Sequence, residues 1–143
     1  MEKIQFTGKH RFLNLEERKK IRSLLNITAK NNNHKIQFLQ YVFVDDNQLH
    51  QINVDFLNHD TLTDIITFDL GTIDFTIDGE IYISLDRVKE NSETLKTPYS
   101  EELIRVISHG LLHLIGFKDK TSKDAITMRS KEEECLSLWR SIQ

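Results

Sequence analysis

The stretch Ser108-His109-Gly110-Leu111-Leu112-His113-Leu114-Ile115-Gly116-Phe117-Lys118-Asp119-Lys120 carries the skeleton His-x-x-x-His-x-x-Gly-x-x-Asp. Histidines at i and i+4 share one face of a helix, with Cβ atoms about 6 Å apart. Imidazoles so spaced can converge on one metal ion. Gly116 follows where a helix must stop if the chain is to turn back. Glycine accepts the left-handed backbone angles of such a stop. Asp119 then arrives beyond the turn and can supply a third ligand. Two His and a carboxylate with a fourth position open make a catalytic set, because a structural zinc site is closed by four protein ligands. The expected ligands are His109, His113 and Asp119, around one Zn2+ per chain.

This spacing is similar to that of the metzincin zinc peptidases, with one departure. Those enzymes carry Glu, their general base, directly after the first His. Gly110 stands there instead. The ligand geometry is kept and the usual base is gone. The residues point to a metal site whose reaction is not ordinary peptide hydrolysis.

A chain of 143 residues is expected to form a single domain, residues 1–143, with a core that needs no disulfides. Cys135 is the lone cysteine, so no intramolecular bridge is possible and a reducing compartment is favoured. The N-terminus lacks the apolar run of a signal peptide, and no stretch approaches a membrane span. The reading is a soluble cytoplasmic protein. A net charge of −3 argues against gripping nucleic acid by bulk charge. Local basic groups remain: Lys9-His10-Arg11, Arg18-Lys19-Lys20-Ile21-Arg22 and Lys118-Asp119-Lys120. The second reads as a solvated helix face. In the third, Lys118 and Lys120 flank the metal, where a phosphate can sit.

Outward from the metal stretch, the pattern gives alternating strands and helices. Residues 3–6 read as an edge strand. Asn14 can cap a helix with Glu17 in a capping box, and Leu15, Ile21, Leu24, Leu25 and Thr28 form its stripe until Asn31-Asn32-Asn33. Ile36–Val44 is the best strand, with Ile36, Phe38, Val42 and Val44 on one face and Leu39, Tyr41 and Phe43 on the other. Apolar faces on both sides place it centrally. Asp45 and Asp46 offer caps for a helix that buries Leu49, Ile52 and Phe56, with His50 and His59 at the surface. A polar loop, Asn58–Asp64, leads into a strand at Ile65–Phe68. Ile77-Asp78-Gly79 reads as a turn before the alternating strand Glu80–Leu85. A short polar helix covers Asp86–Lys96. Pro98 suits the first turn of the metal helix, whose stripe is Leu103, Ile107, Leu111 and Leu114. The histidines lie roughly 140° from that stripe at 100° per residue. Glu102 points their way about 10 Å up the axis; it reads either as a support behind the ligands or, more simply, as a capping-end charge. Thr121 or Ser122 can cap a last helix with Ala125, Met128, Cys135, Leu138, Trp139 and Ile142 inside, and Lys131-Glu132-Glu133-Glu134 as its solvated face. The resulting class is α+β: a small mixed sheet of about four strands packed with about five helices, and a zinc-peptidase-like metal helix in the core.

His109-Gly110-Leu111-Leu112-His113-Leu114-Ile115-Gly116-Phe117 resembles the signature of the YbeY family, His-Gly-x-Leu-His-Leu-x-Gly-Tyr-Asp-His. Lys118 stands where that family has Asp, and Asp119 where it has a third His; a carboxylate is an equally normal zinc ligand. Asn53, Phe56, Asp60 and Thr63-Asp64-Ile65-Ile66-Thr67-Phe68 resemble a second family segment, Asn-x-x-Tyr-Arg … Asp-x-Pro-Thr-Asp-Val-Leu-Ser-Phe. Leu57 replaces the arginine of that segment and Leu62 the proline. Gly79-Glu80-Ile81-Tyr82-Ile83 resembles Gly-Asp-Ile-x-Ile. The resemblance implies a single-strand-specific, metal-dependent endoribonuclease. Its expected role is 16S rRNA 3′-end maturation and late small-subunit quality control, using a zinc-bound water. Its expected partners are rRNA and the small ribosomal subunit, with no membrane and no DNA. With Leu57 in place of arginine, Lys118, Lys120 and Arg105 are the candidate cations for phosphate. Asp64 is the candidate base, and its other role is to cap the loop before its strand. A zincin-like metallopeptidase and a non-catalytic ribosome-assembly factor with a structural zinc stand as alternatives.

Overall fold

Ten residues rich in β-branched and aromatic side chains, Lys35–Val44, form the longest strand of the sheet. The computed structural model describes residues 3–8, 13–57 and 63–142. In chain order these give β1 (Ile4–Gly8), α1 (Leu15–Asn31), β2 (Lys35–Val44), α2 (Asp46–Leu57) and β3 (Ile65–Asp69). There follow β4 (Thr76–Ser84), α3 (Leu85–Leu95), α4 (Tyr99–Ile115) and α5 (Ser122–Ser141). The sheet order is β1-β2-β4-β3. β1, β2 and β4 are parallel, and β3 closes the sheet antiparallel to β4. The expected α+β class, mixed sheet and edge strand at the N-terminus are all observed.

The two faces of the sheet are covered unequally. α1 and α4 pack on one face, where Leu24, Leu25, Leu39, Phe43, Ile81, Ile83 and Ile107 form the main core. α2 covers the other, over a small cluster of Val44, Leu49 and Ile66. The buried Tyr41 ties sheet to helix, its hydroxyl donating to the Ile107 carbonyl at 2.7 Å. α1 starts as expected, with Glu17 N–H donating to Asn14 Oδ1 at 2.9 Å. Asp45 caps α2: Gln48 N–H donates to Asp45 Oδ1 at 2.8 Å, and Asp45 N–H to Gln48 Oε1 at 3.1 Å. Thr121 caps α5 through Asp124 N–H at 3.0 Å.

Several expectations are corrected. Ile36 joins Leu39, Tyr41 and Phe43 in the main core, because a register shift between Ile36 and Phe38 breaks the alternation. Ile77-Asp78-Gly79 is not a turn but lies inside β4; the chain reverses earlier, between Asp69 and Thr76. Gly79 is needed there because a Cβ would come within 2.8 Å of the Phe68 carbonyl oxygen and of Leu114. Leu15 and Phe56 are 66% and 72% exposed, since each falls at a helix end beyond the packed turns. Ala125 is exposed too, and Leu136 is buried in its stead. Pro98 occupies the cap position of α4 rather than its first turn.

Of the basic groups, Lys9-His10-Arg11 lies outside the described residues, as do His59, Asp60, Leu62 and the rest of the 58–62 loop. In the second group Lys20 sits over the Trp139 ring and Arg22 donates to the Ile4 carbonyl, so both serve packing. Among the described residues no helix is long and apolar enough to cross a membrane.

Cys135 packs in the core against Thr28 Oγ1 at 3.7 Å. Burial pushes its thiol pKa up, which lowers the reactive thiolate fraction. In native buffer at neutral pH its alkylation should be slower than in urea by at least about tenfold. Equal rates, read by mass spectrometry, would contradict this packing.

Candidate metal centre

α4 is buried over most of its circumference, with Leu103, Ile104, Val106, Ile107, Leu111 and Leu112 inside. Only a narrow strip is left open, and His109 and His113 occupy it, ring centroids 4.6 Å apart and 76° between planes. Gly116 ends the helix at φ +123°, a conformation that side chains disfavour. Its N–H reaches the Leu112 and His113 carbonyls, and Phe117 N–H also reaches Leu112. The chain turns back, and Asp119 Oδ2 comes to 3.4 Å from His109 Nε2 and 3.3 Å from His113 Nε2.

Those distances are long for an N–H···O hydrogen bond. They match the separation of ligands around a tetrahedral ion: bonds of 2.0–2.1 Å imply donors about 3.3–3.4 Å apart. All three donor atoms lie within 4.8 Å of one another. The donor set therefore fits a divalent ion with nitrogen and oxygen preference, and the group can hold a metal.

A fourth side chain stands behind His109. Glu132 of α5 is 6% exposed, and its Oε2 lies 2.6 Å from His109 Nδ1. Its Oε1 accepts from Arg105 Nη1 at 3.1 Å. Arg105 also donates to Glu133 at 2.7 Å and faces Glu102 at 3.8 Å. Burial disfavours charge on His109, but the bond to Glu132 and the charges of Glu132, Asp119 and Asp64 outweigh it, and its pKa is raised. Burial likewise opposes the Glu132 carboxylate, and His109 and Arg105 overcome it, so its pKa is lowered. Glu102 has no strong partner of this kind, and burial raises its pKa.

These groups open onto a cavity of ≈ 990 Å³ between α4, α5, β3 and α3. Asp64 enters its wall just before β3, with Asn91 Nδ2 donating to its Oδ2 at 3.5 Å. Burial is the main cause of its raised pKa. Arg105 and Lys120 line the cavity, as does Leu57; Lys118 is not among the lining residues. Arg105 is occupied by carboxylates.

A family model described as Endoribonuclease YbeY matches residues 3–140. The chain belongs to the YbeY family. Relatives named Endoribonuclease YbeY include one from Cytophaga hutchinsonii, 49% identical over 124 residues and covering 87% of each chain. Another, from Christiangramia forsetii, is 43% identical over 98% of this chain and 96% of its own. The solution structure of TM1509 from Thermotoga maritima is similar at a TM-score of 0.67, with 28% identity, over 99% of this chain and 93% of that one. The resemblance read from His109–Phe117 and Thr63–Phe68 thus extends over nearly the whole chain.

Gly110 separates this YbeY site from a peptidase. A Cβ there would meet Ile81 Cδ1 at 2.8 Å, Ile81 Cγ2 at 3.0 Å and Ile65 Cδ1 at 3.1 Å. The position after the first histidine faces the sheet, so a side chain there meets Ile81 and Ile65 first.

From sequence alone Glu132 is misplaced, Glu102 is weighed the wrong way and Arg129 is passed over, among other lining residues. Glu132 reads there as part of a solvated face, and the structure corrects this: it is buried against His109. A signal was present, because Met128, Glu132 and Cys135 fall at i, i+4 and i+7, one face of α5. Glu102 is 5% exposed and lines the cavity rather than merely charging a helix end. Arg129 lines it as well, and nothing in its local sequence distinguishes it.

Proposed function

We propose that this YbeY chain is a metal-dependent endoribonuclease that cleaves single-stranded RNA in rRNA processing, with one zinc held by His109, His113 and Asp119. The carrying observation is the convergence of those donors, Asp119 at 3.3–3.4 Å from each histidine, on the wall of a cavity also lined by Arg105, Lys120 and Arg129. Family membership supplies the substrate class. The finer reading is 3′-end maturation of 16S rRNA and late quality control of the small subunit, in the cytoplasm where that subunit is assembled.

A bound zinc supplies Lewis-acid chemistry, lowering the pKa of water toward neutrality and polarising a phosphoryl oxygen. The chain does the rest. Lys120 and the exposed Arg129 offer positive charge to the RNA backbone on entering the cavity. Lys118, outside the lining, would meet phosphates further along. Arg105 is committed to Glu132 and Glu133, so its part is to hold the carboxylate frame. Asp64 is a half-buried carboxylate with raised proton affinity, suited to take a proton from the attacking water. Gly110 weighs against a peptidase, because a side chain there meets the sheet first.

The test is cleavage of a labelled single-stranded oligoribonucleotide, its duplex and a peptide. The zinc-loaded protein is expected to cut the single strand internally and spare the others, to stop on chelation and to recover with zinc. Asp64→Asn is expected to lower kcat by about 10²–10⁴-fold with zinc content unchanged. Peptide cleavage without RNA cleavage would overturn the reading.

A further inference from the structure

We infer that Glu132 is a positioning residue for the metal: through His109 Nδ1 it fixes the ring's tautomer and orientation, and thereby sets the site's metal affinity. The inference rests on the metal reading above. A histidine ligates through one nitrogen only if the other carries the proton. Glu132 Oε2 lies 2.6 Å from Nδ1, which makes Nδ1 the donor and leaves the Nε2 lone pair facing Asp119. The carboxylate cannot rotate away, because its other oxygen is held by Arg105 Nη1 at 3.1 Å. Both oxygens are therefore partnered, and the side chain is buried. Such a carboxylate behind a metal-binding histidine raises ligand basicity, and its loss costs about 10–100-fold in metal affinity.

The competing account is an ion pair that merely ties α5 to α4. Glu133 separates the two. It accepts from Arg105 at 2.7 Å and has a half-exposed side chain, whereas the ring nitrogen of His109 pairs with Glu132. Zinc affinity is measured by competition with a chromophoric chelator for wild type, Glu132→Ala, Glu132→Gln and Glu133→Gln. The expected result is a 10–100-fold loss in Glu132→Ala, a smaller loss in Glu132→Gln, whose amide oxygen can still accept, and no change in Glu133→Gln. The nitrogen NMR spectrum of the metal-free wild type should show His109 protonated at Nδ1, and Glu132→Ala should lose that preference. The isosteric Gln variant keeps the test valid if the Ala variant folds poorly. Wild-type affinity in both Glu132 variants, or an equal loss in Glu133→Gln, would overturn the inference alone. A wild type that binds no zinc would overturn the metal reading, and this inference with it.

Discussion

Asp119→Ala should yield a folded protein that no longer retains zinc. The side chain is 43% exposed and lies in the turn after α4, so its removal leaves the apolar core intact. What it removes is one of three donors, and two imidazoles alone hold a divalent ion poorly. Metal content by mass spectrometry, on protein purified without a histidine tag, is expected to fall from one zinc per chain to a small fraction. A metal ion contributes several kcal/mol of transition-state stabilisation, at 1.36 kcal/mol per decade, so RNA cleavage should fall by about 10³-fold or more. The unfolding midpoint of the metal-free variant should equal that of the metal-free wild type. Retained zinc with lost cleavage would reassign Asp119 from ligand to base. Retained zinc and cleavage would remove it from the site.

Gly110→Glu, the change that restores the peptidase sequence pattern, should destroy the fold rather than convert the enzyme. The first added atom already lies 2.8 Å from Ile81 Cδ1 and 3.1 Å from Ile65 Cδ1. Overpacking of this kind costs about 1–3 kcal/mol. The carboxylate beyond it would be thrust between isoleucines with no partner, at several kcal/mol more. Together these consume a large part of the 5–15 kcal/mol typical of a small domain. Urea denaturation is expected to find Gly110→Glu largely unfolded, and Gly110→Ala destabilised but folded. A stable Gly110→Glu protein that cleaves peptides would show that the helix can lift from the sheet.

The candidate donors were legible because they are local. His109, His113, Gly116 and Asp119 lie on one helix and its turn, and backbone geometry alone brings them together. Glu132 was not legible in that way. Its role depends on α5 docking against α4, and in the run Lys131-Glu132-Glu133-Glu134 nothing but helical phase tells it from its neighbours. Strand faces were legible where alternation is unbroken, as in Ile81 and Ile83. They failed at Ile36, where one irregular step moves a side chain across the sheet. The turn expected at Ile77-Asp78-Gly79 failed for a tertiary reason: Gly79 admits Leu114 and the Phe68 carbonyl rather than bending the chain.

The closeness in sequence of His109, His113 and Asp119 also bears on how the site assembles. Closing a short loop costs little chain entropy, and that cost grows only slowly with length. Once α4 has formed and Gly116 has reversed the chain, the donors meet without any search by distant segments. The support behind His109 comes later in the chain and needs a separate helix to dock. The two sets of contacts therefore differ in kind, one local to α4 and its turn and the other tertiary. A chain cut before α5 would keep His109, His113 and Asp119 in sequence but would lose the Glu132 contact to His109 Nδ1.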